Sequence, residues 1–282
     1  MMIATSGSNQ RVMNLAIFLV LCAGMFIAVA PLLYMASTAF QGVAFVQPYP
    51  PRLLPETFTL ENFEQAFSSR NFGRAMLNSA GVSIATAVMV TGLAATMAYS
   101  FARFEFRGKR IIFAVLMVMI MIPGVVLLIP QFILAKNLGL LNSLPGLVLV
   151  YSAGPLAFNT FLLRGFFENL PRELEESAVI DGANAFTIFW RIMLPLAAPA
   201  ISTVAVFSFL GAWDEYLLAL NFLTEESLRT LPIAIANFRG QYSSNWGLVF
   251  AGSLTAVVPT ILLFVFFQRY FIQGITSGGV RG

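Results

Sequence analysis

Histidine is absent from this chain of 282 residues, and cysteine occurs once, as Cys22. No imidazole is available for acid–base or metal chemistry, and a single thiol forms neither an intrachain disulfide nor a CxxC site. Charge is almost as scarce. Asp, Glu, Lys and Arg make up 10% of the residues, against about 25% in a soluble domain. No GxxxxGK[ST] stretch occurs, so nothing cradles nucleotide phosphates, and GxSxG, HExxH and DxDxDG stretches are missing as well. These absences argue against a self-contained enzyme or primary pump. The net charge is only +3, and no nucleic-acid partner is expected.

What the chain has is apolar length: 58% of its residues are hydrophobic and the mean hydropathy is +0.82. A membrane span needs about 20 mostly apolar residues. Six segments meet that requirement, near 12–36, 76–102, 111–134, 146–167, 195–220 and 248–271. The expected fold is therefore all-α, a polytopic membrane protein of six transmembrane helices embedded in the lipid bilayer. The first segment is too long for a signal-peptide core and has a poor cleavage site after it, so it reads as a retained helix. Basic residues set the orientation. Arg103, Arg107, Lys109 and Arg110 crowd the loop after the second segment, whereas the loop after the third carries only Lys136. Residues 103–110, both termini and the block 168–194 are thus expected in the cytoplasm. The expected organisation is a cytoplasmic N-terminus (1–11), a six-helix transmembrane domain (12–272) and a cytoplasmic tail (273–282).

Two segments are expected on the outer side. In 41–75, Pro48, Pro50, Pro51 and Pro55 favour extended chain. Thr59 then reads as an N-cap, followed by a helix with Leu60, Phe63 and Phe67 as its apolar stripe. In 221–247, Phe238, Tyr242 and Trp246 stand among small polar residues, a pattern that suits an interfacial aromatic belt or a docking partner. Asp214 and Glu215 lie inside the fifth hydrophobic segment. Acids at membrane depth line an aqueous path or form a structural hydrogen bond, and both readings stay open here. On the first, Trp213 or Tyr216 would stack on a sugar face. Asn159, Ser152 and Gln131 are further polar candidates. Prolines 123, 130, 155, 195, 199 and 259 interrupt the apolar runs, which frees carbonyls in transport proteins and in other membrane proteins alike.

The stretch from Arg164 to Pro199 carries five of the chain's thirteen acidic residues between two uncharged runs. Pro171 suits a first helical turn, and Glu173, Glu175 and Glu176 favour the helix dipole behind it. Leu170, Leu174 and Ala178 recur every fourth residue as a narrow apolar stripe. Gly182 permits a turn, and a second short helix from Ala183 would put Phe186, Phe189 and Trp190 on one face. A short apolar helix flanked by acids suits a groove on a partner, or packing on its own membrane domain.

This block resembles the EAA loop of ABC importer permeases. Glu176-Ser177-Ala178 stands for EAA, Asp181-Gly182-Ala183 follows, and Ile192 with Leu194-Pro195 completes the pattern. FWRIMLPLAAP is similar to the carbohydrate branch, in particular the second permease of maltose-type importers. ENFEQAF, WDEYLLAL and FQRYFIQGITSGGVRG extend the resemblance over nearly the whole chain. Two positions depart from the family pattern: Ser177 replaces an alanine, and Asp214 stands where many relatives carry asparagine. The resemblance implies a bacterial inner-membrane permease that pairs with a second homologous permease. Two ATPase subunits would bind ATP and Mg, with no cofactor on this chain, and an extracytoplasmic sugar-binding protein would deliver the substrate. It also implies that Glu175, Glu176, Ser177, Ala178, Asp181, Gly182 and Ala183 couple to the ATPase, and that the tail from Gly274 reaches it too. Asn159, Trp213, Asp214, Glu215 and Tyr216 become pathway candidates. Gln241, Tyr242, Ser243, Asn245 and Trp246 become contacts for the binding protein. An ion-coupled carrier and a non-transporting scaffold are the alternative readings.

Overall fold

The computed structural model describes residues 7–42, 54–55, 57–69, 71–240 and 245–279, with side chains described from residue 10 to 268. The described residues fold almost wholly as helices, divided between two compact units, Met1–Arg70 with Ile235–Thr255 and Asn71–Ala234 with Ala256–Gly282. Among the described residues, four helices are long and apolar enough to cross a membrane, and two further bent pairs bring the number to six if each pair is one span.

The first unit holds α1 (Gly7–Ala39), α2 (Glu61–Ser68) and the start of α13 (Trp246–Gly279). Asn62 ties these pieces together. Its Nδ2 donates to the carbonyls of Ala39 (3.0 Å) and Gln41 (2.5 Å) at the end of α1. Gly247 packs so close that an added Cβ would lie 2.6 Å from the same amide. Thr59 Oγ1 accepts from the Glu61 amide, but the N-cap position belongs to Leu60, so the threonine expected as the cap lies one residue upstream. Of the apolar stripe, Leu60 and Phe67 are exposed and Phe63 packs against Phe40, while Asn62 with Ala66 forms the buried side. The carbonyls at the end of α1 demand a polar partner, and that demand turns the helix. Pro48, Pro50 and Pro51 lie outside the described residues.

The second unit is built on α3 (Phe72–Arg103), which packs along α6 (Leu144–Asn169) and α10 (Ala198–Trp213). The inward face of α3 is small, with Ala94, Ala95, Ala98 and Ala102 set against Leu163, Phe167, Ala200 and Val204. Small side chains let helices approach closely where apolar burial alone gives no advantage over lipid.

The third apolar segment is not one straight helix. α4 (Lys109–Ile120) stops before Pro123, a 3-10 turn covers Gly124–Leu127, and α5 (Leu128–Asn137) leaves at an angle of 99°. Proline removes an amide donor and fixes φ, so the α4 hydrogen-bond ladder cannot run through it. The fifth segment likewise ends early, at Trp213, and a separate short helix α11 (Leu217–Phe222) follows. The connection beyond it is latched down. Asn142, at φ +56, accepts at Oδ1 from the amides of Thr224 and Glu225, while Asn78 donates to the carbonyls of Ser227 and Arg229. Ser79 Oγ accepts from Leu231, the first residue of α12 (Leu231–Ala236). At the other end, α13 stays helical to Gly279.

α6 begins with a tight entry. Ser143 Oγ accepts from the Gly146 amide at 3.0 Å, and a Cβ at Gly146 would lie 2.1 Å from the Leu140 carbonyl oxygen. Gly146→Ala should therefore force the backbone and cost about 1–3 kcal/mol, the usual range for overpacking. A lowered melting temperature of the purified protein in detergent checks this, and an unchanged one refutes it.

Candidate functional site

The acidic block forms a helical hairpin. α7 (Glu173–Ile180) ends at Gly182, whose φ of +84 permits the reversal. Asn184 Oδ1 then accepts from the Thr187 amide and starts α8 (Ala185–Ile188). A π turn over Phe189–Met193 and a last turn, α9 (Leu194–Leu196), lead into α10 with a bend of 79°.

The residues expected to couple separate into two groups. Ala178 is buried, and Leu170 and Ala183 pack against the same core, so of the two readings left open for the stripe Leu170 and Ala178 follow packing on the chain's own helices, while Leu174 is exposed. Glu175 turns inward with Leu170 and Ala178. Its Oε1 lies 2.5 Å from Arg103 Nε, its Oε2 accepts from Tyr99 Oη at 3.1 Å, and Arg103 Nη2 donates to the Leu170 carbonyl. The two charged side chains are only 6% and 17% exposed, so this pair anchors the hairpin to the end of α3 in near-dry surroundings. The anchor also places 103–110 and the hairpin on the same side of the membrane. In the turn between α3 and α4, a hydrogen bond from Lys109 holds the exposed Glu105 carboxyl below its ordinary value.

Glu176, Ser177, Asp181 and Gly182 are exposed. Beside them stands an apolar surface of Val179, Ile180, Phe186 and Trp190, with Ile180 85% and Phe186 72% exposed. Phe186 and Trp190 pair at 5.9 Å, whereas Phe189 is buried against Tyr99. The three aromatics therefore do not share a face. The π turn between Phe189 and Met193 carries one residue more than an α turn, and the Phe189 ring still meets that of Trp190 edge-on at 5.5 Å.

The pathway candidates are more structural than the sequence suggests. Glu215 caps α11: Oε1 accepts from the Leu218 amide at 2.7 Å and Oε2 from that of Ala219 at 3.0 Å, while Tyr151 Oη donates to Oε2 at 2.5 Å. Trp213 is buried, its ring stacked on Phe209 and its indole N–H donated to the Ala256 carbonyl, so neither face is open to a sugar. Tyr216 packs against the Tyr151 and Phe222 core. Asn159 is buried and donates to Ser208 Oγ at 3.4 Å. Asp214 is exposed. In the first unit, Asn245 Oδ1 accepts from Leu248, and the Arg239 guanidinium lies 5.7 Å from the Trp246 ring. Gln241, Tyr242 and Ser243 lie outside the described residues. Sequence reasoning missed Tyr99, Arg103 and Tyr151 as partners of the acids. Arg103 stood out only as a topology signal, although it closes the apolar span with an acid-rich loop to follow.

A multi-pass helical bundle with broken spans, an anchored hairpin and no nucleotide-binding stretch of its own is the architecture of a transport permease. Residues 89–277 match the family described as binding-protein-dependent transport system inner membrane component, and the chain belongs to that family. It is 35% identical over 257 residues to the trehalose transport system permease protein SugB of Mycobacterium tuberculosis, covering 90% of this chain and 93% of that protein. It is 33% identical to the sulfoquinovosyl glycerol transport system permease protein SmoH of Agrobacterium fabrum, covering 98% and 95%. Among solved structures, a bacterial ABC transporter involved in import of the acidic polysaccharide alginate matches with a TM-score of 0.80 and 23% identity, over 96% of this chain and all of that one. The chain is thus an ABC importer permease, a non-catalytic inner-membrane component. Neither an ion-coupled carrier nor a scaffold finds support.

The anchor yields a distinctive mutational pattern. Removing Arg103 leaves a carboxylate stranded in a poorly solvated site and should cost about 3–5 kcal/mol, whereas removing both charges is far milder. In thermal unfolding of the detergent-solubilised protein, Arg103→Met should lose more stability than Arg103→Met with Glu175→Leu. Equal losses would refute the anchor.

Proposed function

We propose that the chain forms half of the translocation pathway of an ATP-driven importer for a sugar or oligosaccharide, beside a second homologous permease. Two ATPase subunits that bind ATP and Mg dock on its hairpin from the cytoplasm, and an extracytoplasmic sugar-binding protein delivers substrate near Asn245 and Trp246. Both termini lie in the cytoplasm with the hairpin. The transport activities of the relatives, trehalose and sulfoquinovosyl glycerol transport among them, support a carbohydrate substrate.

The observation that carries the docking proposal is the two-faced hairpin. One face is committed to the chain's own core through Glu175, Ala178 and Phe189. The other presents Ile180, Val179, Phe186 and Trp190 to solvent beside the Glu176 and Asp181 carboxylates. Apolar anchors ringed by charge are what a helix-in-groove contact requires. Closure of the ATPases would move the hairpin, and the anchor at Arg103 would pass that movement to α3. Such coupling needs contacts that differ between two states.

Ile180→Asp places a charge at the most exposed apolar position without touching the core. It should weaken ATPase retention in the detergent-purified complex by about 30-fold or more, the equivalent of a contact worth about 2 kcal/mol, and abolish uptake into vesicles. Full retention with normal uptake would place the ATPase elsewhere on the chain.

A further inference from the structure

The turn between α3 and α4 gathers more positive charge than its own acid neutralises. Arg107, Lys109 and Arg110 lie in it or just after it, and Glu105 is its one carboxylate. Lys109 is bound to Glu105 at 2.8 Å and does most to hold that carboxyl below its ordinary value. Arg110 and Arg172 add to the pull, so cations of α4 and of the hairpin gather around one acid. Arg107, Arg110 and Arg172 are exposed, and among the described residues their guanidinium groups make no hydrogen bond or ion pair.

Beside this cluster, α4 carries an unused apolar groove. None of its residues is buried. Ile111, Val115 and Val118 are 72%, 55% and 58% exposed, and their spacing of four and three puts them on one face. Ala114 stands among them, and its small side chain leaves a groove of about 420 Å³ walled by Arg110, Ile111, Ala114, Val115, Val118 and Met119. Arg110 is the one polar wall, and an arginine stem lies along apolar surface while its head stays in water. From there to Val118 the groove runs about 12 Å along the helix.

With 103–110 on the cytoplasmic side, as proposed above, the groove descends from headgroup level into the inner leaflet. The exposed rings of Phe104 and Phe106 then sit where interfacial aromatics belong. A soluble anion would meet the cations and leave the groove empty. An apolar helix would fill the groove and leave three guanidinium groups unpaired. A lipid with an anionic head uses both. We propose that Arg107, Arg110, Arg172 and the α4 groove form a binding site for an anionic phospholipid. The planar arginine forks match phosphate oxygens, and the groove takes one acyl chain. Because Arg172 belongs to the hairpin, the headgroup ties the hairpin to the membrane surface, a contact separate from the buried pair of Arg103 and Glu175.

The test uses the complete importer, delipidated in detergent and titrated with phosphatidylglycerol or with phosphatidylcholine of the same chains, bound lipid being counted by native mass spectrometry. Each basic residue near a membrane surface is worth about fivefold in affinity for anionic lipid. Arg107→Gln with Arg110→Gln should therefore weaken phosphatidylglycerol binding about 25-fold and Arg172→Gln about fivefold, with phosphatidylcholine unaffected. Ala114→Phe fills the groove at an exposed position without changing charge, and should weaken phosphatidylglycerol while the complex stays whole. Glycerophosphoglycerol, the same headgroup without chains, should fail to displace the lipid. Unchanged phosphatidylglycerol affinity in either arginine variant overturns the site. Displacement by the bare headgroup assigns the cluster to a soluble anion and overturns the lipid. Loss of the second permease from the Ala114→Phe complex shows that protein covers the face, and overturns it too.

Discussion

Glu175 is one of three acids in the first turn of α7, and only this one is withdrawn from water. Its carboxylate meets Arg103 and Tyr99 at the end of α3, and Arg103 in turn holds the Leu170 carbonyl where the chain leaves α6. The end of α3 and the stretch 170–175, distant in sequence, thus converge on one buried ion pair. Such a pair contributes little net stability against an apolar replacement, yet a half of it left alone is costly. It therefore specifies position more than it adds strength. The hairpin has one seating on α3, and everything it presents outward follows from that seating.

The same economy governs the acids deeper in the chain. Glu215 spends its oxygens on two amides and a tyrosine hydroxyl, capping a helix that starts where α10 has stopped. The break in α10 and the break before α5 expose backbone that must be paired inside protein or around a cavity, since lipid offers no hydrogen bonds. The resulting cavity has polar groups at some walls and apolar groups at the others. A bent span is thus both a cost in backbone pairing and the source of the space.

Much of this was legible in the apolar runs. Four spans follow from length and hydropathy, and the hairpin's turn at Gly182 and its short helices were readable from proline, acids and glycine. The breaks were less so, because Pro123 and Pro130 sit in equally apolar surroundings and only the tertiary fold decides which one interrupts the helix. Face assignments stayed open for a related reason. Leu170, Leu174 and Ala178 have the right period for one stripe, but period alone does not say whether that stripe meets a partner or its own core. Asn62 shows the converse, a polar residue drawn inward by the carbonyls of Ala39 and Gln41. Long-range pairing of this kind leaves no trace in local pattern.

The π turn at Phe189–Met193 lies between the hairpin and α10. It accommodates one residue beyond the α-helical count, and each residue of an α-helix advances the azimuth by about 100°. The residue number in this joint must therefore agree with the seating that Arg103 and Glu175 give Phe186 and Ile180. Any residue chemistry that keeps the count keeps the aim, whereas one deletion would rotate the exposed face by about a quarter turn or more. The joint works as a phase-setting spacer, which makes chain length in 189–193 a stricter constraint than composition.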